Sequence, residues 1–283
     1  MKQRLFLAAL CAALLLYGLG GCADKRSAQS AEPQTPTSEP EDGRQESDVR
    51  TGIVPEQVLQ GRTGTIHYSY YLPHGYDESR EYPLMMAMPG YDMMWFGPQS
   101  SGSNLNWSGF LCWTEREMIV VSAQLSDWGE TSARQAVELT EYFIDNFSVD
   151  KDRVYAAGYS AGGQIMSRAV SMRPDLYAAY LHVSSQWDGE YAPVAENGVC
   201  VYIFMAENDE YYGFSRAWEA YYGLRQAYID AGVSRQEDVL QILAPDDEWF
   251  AQRGVTANYH GGGNAVFDEP GILEWIVCRR KGA

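Results

Sequence analysis

The ten residues VYAAGYSAGG, running from Val154 to Gly163, restrict what this chain can fold into more than any other stretch. The apolar run RVYAAGY reads as a buried strand that delivers Ser160 without a linker. GQIMSRAVSMRPD follows at once, with Ile165, Met166, Ala169 and Val170 at helical spacing. Gly158-Tyr159-Ser160-Ala161-Gly162 therefore fits GxSxG in the strand, tight turn and helix context that gives the pattern meaning. Small residues two positions to either side let strand and helix approach closely, so the serine hydroxyl is expected to stand at the carboxyl end of a sheet. The plainer alternative is a glycine-rich turn whose serine merely caps the helix.

A serine at neutral pH is a weak nucleophile and needs a base. His67 lies within a strand-like run and His74 in the turn PHGYD, both ahead of the serine, while His182 sits inside an apolar strand as a packed residue. His260 differs. It stands in NYHGGGNAVFDEPG, in a loop after VLQILAP, and a glycine-rich loop near the chain end can carry an imidazole over the serine. A carboxylate should hold that imidazole in one tautomer and stabilise its charged form. VYIFMAENDEYYG ends a buried strand with Glu207, Asp209 and Glu210. Asp209 falls where strand becomes loop and is the expected acid; Glu207 competes, and Asp188 in SSQWDG is a weaker alternative. Negative charge developing on an attacked carbonyl needs preset N–H donors. The amide of Ala161 is one, and the amide of Tyr91, in the turn MPGYD, is the expected second.

Around this centre strand-like and helical runs alternate. IHYSYYLP has the alternation of an outer, half-exposed strand, whereas YPLMMAMPG is apolar throughout, and MIVVSAQ, AYLHVSS, VCVYIFMAEN and VLQILAP follow in the same style. SARQAVELTEYFIDNF places Ala136, Leu139, Phe143, Ile144 and Phe147 on one helical face, with Thr131 or Ser132 as cap. The stretch from Phe214 to Asp230 does the same with Trp218, Tyr221, Leu224 and Tyr228. This order implies an α/β fold, a mostly parallel central sheet with helices on both faces. With 46% hydrophobic residues in 283, the chain can bury a sizeable core.

The beginning has a different character. MKQRLFLAALCAALLLYGLGGC has Lys2 and Arg4, an apolar run and then small residues, the layout of a secretory signal over residues 1–21. Residues 22–52 read as a polar spacer rich in Glu, Pro, Ser and Gln, and residues 53–283 as the folded domain. The net charge is −17, and 31 of the 38 acidic but only 15 of the 21 basic residues lie from Thr51 onward, so nucleic acid is not an expected partner. Beyond Cys11 and Cys22, the cysteines Cys112, Cys200 and Cys278 allow at most one disulfide and match no metal spacing; no metal or cofactor is expected.

Several separated motifs together resemble the α/β-hydrolase superfamily, and within it secreted esterases related to feruloyl esterases and polyhydroxybutyrate depolymerases. They are LPHGYD followed by YPL, SDWGETS, VDKDRVYAAGYSAGG, SSQWDG, AENDEYYG and YHGGGNA, from about Tyr68 to Trp275. Pro89-Gly90 stands where many relatives have histidine and glycine, a departure that touches the loop's shape more than its backbone donor. Leu19-Gly20-Gly21-Cys22 resembles a bacterial lipobox, which implies a lipidated Cys22 and an extracytoplasmic, membrane-anchored protein. The resemblance implies the α/β-hydrolase fold and a serine esterase acting on a small ester or an acylated saccharide. A prolyl-oligopeptidase-like peptidase and a non-catalytic surface binding lipoprotein are the alternatives. Trp128 and Trp187, just beyond strand ends, are expected to border the substrate, with Asp127 and Asp188 beside them binding polar groups or capping turns. A lid is not evident, although one could hide between Tyr91 and Trp113.

Overall fold

The computed structural model describes residues 51–282; the expected signal, Cys22 and the spacer to residue 50 lie outside them. Eight strands, β1 (Gly52–Gly61), β2 (Gly64–Leu72), β3 (Tyr82–Met88), β4 (Ile119–Gln124), β5 (Val149–Tyr159), β6 (Ala179–Val183), β7 (Cys200–Phe204) and β8 (Leu240–Leu243), form one sheet. Their order is β1-β2-β4-β3-β5-β6-β7-β8. The β1–β2 and β2–β4 pairs are antiparallel, and every pairing from β4 across to β8 is parallel. The helices are α1 (Ser108–Thr114), α2 (Glu130–Asn146), α3 (Ala161–Met172), α4 (Ala192–Glu196), α5 (Ser215–Asp230), α6 (Gln236–Val239), α7 (Asp247–Ala251), α8 (Tyr259–Gly262) and α9 (Pro270–Val277).

Both faces of the sheet are covered, which is why its central strands read as unbroken apolar runs. Alternate residues of a strand point to opposite faces. Leu84, Met86 and Met88 of β3 and Val154 and Ala156 of β5 pack with Leu139 and Phe143 of α2, Ile165 of α3, and Leu224 and Tyr228 of α5. Met85, Ala87, Tyr155 and Ala157 pack on the other side with Phe110 and Trp113 of α1 and Ile272 and Ile276 of α9. The strand order turns about β3, with β4 on one side and β5 on the other, so the loops leaving β3 and β5 diverge and open a crevice at their carboxyl ends.

Several expectations need correction. β1 is an additional strand, hidden in the sequence because Pro55 and the left-handed Glu56 (φ 56°) interrupt its alternation with a register shift between Val54 and Gln57. It pairs along β2, so β2 is an inner strand and not an outer one. α2 is capped by Gly129, with Thr131 and Ser132 already inside the helix. α5 buries Ala217, Ala220, Leu224 and Tyr228, whereas Trp218 is exposed, because the sheet surface admits small side chains along that line. Residues 91–113 are anchored to the body although Tyr91 and Phe96 stay exposed: Met94, Asn104, Trp107, Phe110 and Trp113 are buried, the Gln124 side chain bonds Met93, Ser100, Gly102 and Ser103, and the Trp107 indole donates to Asn264 Oδ1 at 2.7 Å. That stretch is body and not lid. Cys112, Cys200 and Cys278 are all free thiols, within the expected limit of at most one disulfide. Among the described residues no helix is long and apolar enough to cross a membrane.

Phe143 holds α2 to the sheet: fully buried, it meets Tyr68 and Tyr70 edge-on and stacks on Phe147 with ring centroids 4.6 Å apart. Phe143→Ala should therefore lower unfolding stability by about 3–5 kcal/mol, measured by denaturant titration.

Candidate active site

Ser160 takes φ 54° and ψ −122°, a conformation that a residue with a side chain adopts only under strain. Close approach on every side holds it there. A Cβ on Gly158 would lie 2.6 Å from the Gly162 carbonyl oxygen, and one on Gly162 would lie 2.2 Å from that of Met88, so neither position admits a side chain without moving backbone. The Ser160 amide donates to the Val183 carbonyl at 3.0 Å, and the Ser185 hydroxyl donates to the Ser160 carbonyl at 2.7 Å. The Ser160 side chain makes no capping bond to α3. That removes the capping alternative and leaves the hydroxyl for another partner.

That partner is His260. Ser160 Oγ lies 2.9 Å from His260 Nε2, and His260 Nδ1 lies 2.9 Å from Asp209 Oδ2, an unbroken line across three loops. Asp209 is 5% exposed, and its other oxygen accepts the amides of Tyr211 at 3.0 Å and Tyr212 at 2.8 Å. Burial pushes its carboxyl upward. The hydrogen bond and charge of His260, together with the two amides, outweigh burial and hold it below the usual carboxylate range. Glu207 is exposed, and among the described residues no bond joins it to His260. Asp188 is engaged elsewhere.

The histidine loop is tied down by residues that carry no signal of it in the sequence. Asn258 takes φ 56° and its side chain accepts the Gly261 amide at 3.0 Å. The Tyr159 hydroxyl donates to the His260 carbonyl at 3.0 Å. The two carboxylate oxygens of Glu210 accept the amides of Tyr259 and His260 at 2.9 and 2.8 Å. His182 is a packed residue, as expected: burial drives it down to about 4, and it lies between the Ser185 carbonyl at 3.0 Å and the Tyr180 hydroxyl at 2.7 Å. His67 stacks on Trp95, and His74 meets Tyr71 edge-on.

A cleft of about 400 Å³ opens over Ser160 and His260, lined by Gly90, Tyr91, Trp128, Ala161, Gln164, Tyr211 and Tyr212, among others. Ala161 and Tyr91 each begin a helical turn, where the N–H has no acceptor within its own helix. Gly90 packs so tightly that an added Cβ would fall 2.9 Å from the Tyr159 ring and 3.5 Å from Ser160 Cβ, which sets the Tyr91 loop against the nucleophile. Trp128 stands on the rim, exposed and edge-on to Tyr91. Tyr211, Tyr212 and Gln164 also line the cleft, and the Tyr212 hydroxyl donates to Gln164 Oε1 at 2.7 Å. The Tyr211-Tyr212 pair just past a strand end was readable by the same argument that singled out Trp128.

Trp187, expected to border the substrate, does not line the cleft. The positive φ of Ser184 (44°) turns the chain after β6, and the indole packs against Tyr180, His182 and Tyr191 instead. Asp188 does not line this cleft either. Its carboxylate accepts from Gln164, Gln186 and Arg168 at 2.8–3.1 Å in an adjoining polar pocket that also contains Asp127, Trp128 and Gln164. Asp127 caps a local turn, accepting the Gly129 amide at 2.8 Å. Among the described residues no cluster of histidine, cysteine and carboxylates could hold a metal ion.

The chain has the α/β-hydrolase fold, as comparisons with known proteins also show. Residues 122–224 match the prolyl oligopeptidase family, a stretch that includes Ser160 and Asp209 and stops short of His260. No curated protein sequence matches the chain. A thermostable esterase superposes with a TM-score of 0.65 at 16% identity, covering 80% of this chain and 63% of the esterase. Oligopeptidase B from Leishmania major gives 0.53 at 14% identity, covering 80% of this chain and 37% of that one. Est1E from Butyrivibrio proteoclasticus gives 0.52 at 13% identity, covering 79% and 99%. This chain thus spans just under two thirds of the thermostable esterase and about a third of the oligopeptidase.

The depressed Asp209 carboxyl has a consequence for acid stability. Because its folded value lies below the unfolded one, the stabilisation it contributes is complete above the ordinary carboxylate range and is lost as pH falls through the lower folded value. Asp209→Asn should be less stable than the parent at neutral pH, and the gap should close in strong acid. Urea titrations at pH 7 and below pH 3 measure this; an equal gap at both would refute it.

Proposed function

We propose that this chain is a serine hydrolase that cleaves carboxylic esters through an acyl-enzyme on Ser160. The observation that carries the reading is the continuous Ser160–His260–Asp209 relay, ending on a strained serine at the floor of an open cleft. His260 Nε2 takes the serine proton as Oγ attacks the ester carbonyl carbon, while Asp209 holds Nδ1–H and stabilises the imidazolium. The oxyanion is received by the amides of Ala161 and Tyr91. His260 then gives the proton to the departing alcohol. Water, deprotonated by the same nitrogen, attacks the acyl-enzyme, and collapse releases the acid and restores Ser160.

The aromatic rim of Tyr91, Trp128, Tyr211 and Tyr212 supports a flat acyl or sugar group as the bound portion of the substrate. A peptidase is the second reading, favoured by the match of residues 122–224 to the prolyl oligopeptidase family. A panel of acetyl, feruloyl and short-chain esters run against peptide substrates separates the two, and a fluorophosphonate that fails to label Ser160 would leave a binding protein in their place. Replacing Ser160 or His260 by alanine should lower kcat on the order of 10⁶-fold, and Asp209→Ala about 10⁴-fold. Glu207→Ala and Asp188→Ala should cost far less. Retained turnover in purified Ser160→Ala would overturn the catalytic reading.

The protein is also proposed to work outside the cytoplasm, tethered by a lipidated Cys22, on the strength of Leu19-Gly20-Gly21-Cys22 and the polar spacer behind it. Stable anchoring takes more than one acyl chain at about 0.8 kcal/mol per buried methylene. Cys22→Ala should abolish fatty-acid labelling, and continued labelling of that variant would rule the anchor out.

A further inference from the structure

We propose that Glu210 is a positioning residue that sets the reach of His260 by holding the main chain of its loop. This rests on the hydrolase reading above and adds a part to it. Asp209 and Glu210 are successive residues of the turn after β7, and they grip the same histidine at two places. Asp209 Oδ2 meets the ring at Nδ1, 2.9 Å away. Glu210 meets the backbone, one oxygen accepting from Tyr259 N at 2.9 Å and the other from His260 N at 2.8 Å.

The loop needs such a hold. α8 is a single four-residue turn, far too short to be stable on its own propensity. The amides of Tyr259 and His260 open it and have no acceptor within it. A carboxylate is the one side-chain group that presents two acceptors and no donor, and bonds to an ionised acceptor are the stronger kind. The gripping turn is itself braced, because Asp209 Oδ1 accepts the amides of Tyr211 and Tyr212. Turn and histidine loop, 50 residues apart in sequence, are therefore locked as one unit. The ring's distance from Ser160 is set by that unit.

Glu210 is exposed and is not among the residues lining the cleft, so it has no part in holding substrate. Its loss should appear in kcat and leave KM nearly unchanged. Misplacing a catalytic group by about 1 Å can cost on the order of 100-fold, so Glu210→Ala should lose roughly 10- to 100-fold in kcat on a p-nitrophenyl ester. Glu210→Gln, which keeps one acceptor and turns a donor toward the second amide, should fall between the parent and the alanine variant.

The deciding measurement is a double-mutant cycle. If Glu210 acts through His260, Glu210→Ala should bring little further loss in a His260→Ala background. Parental kcat in either Glu210 variant, a loss carried by KM, or the full loss repeated without His260 would overturn the proposal. Ser160→Ala is run alongside. If it stays active, the hydrolase reading fails; if it is inert while both Glu210 variants behave as the parent, only the positioning role fails.

Discussion

Everything at the site depends on one strained backbone, that of Ser160 between β5 and α3. With φ at 54° the chain reverses from strand to helix in a single residue, and the hydroxyl is pushed out where a capping serine would have turned it inward. Such a conformation persists only if its surroundings over-determine it. Here they do so through contact and hydrogen bonding together. Gly158, Gly162 and Gly163 let β3, β5 and the β6 loop approach so closely that no Cβ fits, and Val183 and Ser185 hold the amide and carbonyl of the serine itself. The apolar layers on both faces of the sheet keep these strands in place.

Once the serine is set, the rest of the site is a problem of bringing distant loops to it. His260 comes from the loop after β8 and Asp209 from the turn after β7, while Tyr91 follows β3. All of these lie at the carboxyl ends of parallel strands, so the sheet converts separations of 50 to 100 residues into contacts of 2.9 Å. The short α8 turn contributes little stability of its own. It is held by polar bonds from Asn258, Tyr159 and Glu210, each directed at backbone and not at the imidazole. A rigid scaffold carrying precisely tethered loops is what electrostatic preorganisation of the kind proposed here requires.

Where sequence reasoning went astray, tertiary packing overrode a local pattern. Aromatic residues at helical spacing marked Trp218 as part of a buried face. The sheet instead takes Ala217 and Ala220, because small side chains allow α5 to sit close, and the indole is left outside. Trp187 and Trp128 have the same position relative to their strands, yet a positive φ at Ser184 sends one inward while the other stays on the rim. β1 is not legible in the sequence because Pro55 and Glu56 break its alternation, and only its ladder with β2 identifies it as a strand.

The sequence by itself determined the α/β class, the strand, turn and helix around Ser160, His260 as the expected base and a carboxylate past a strand end as its partner, with Glu207 and Asp188 still competing against Asp209. These were legible because each depends on local chemistry: apolar periodicity, glycines flanking a turn, and a polar residue at the point where a strand ends. Only the tertiary structure decided which tryptophan reaches the cleft, that residues 91–113 form part of the body, and that Glu210 holds the backbone of His260. A hydrogen bond to a main-chain amide leaves no mark on the identity of the residue that donates it. Contacts of that kind exist only after the sheet has brought the two segments together.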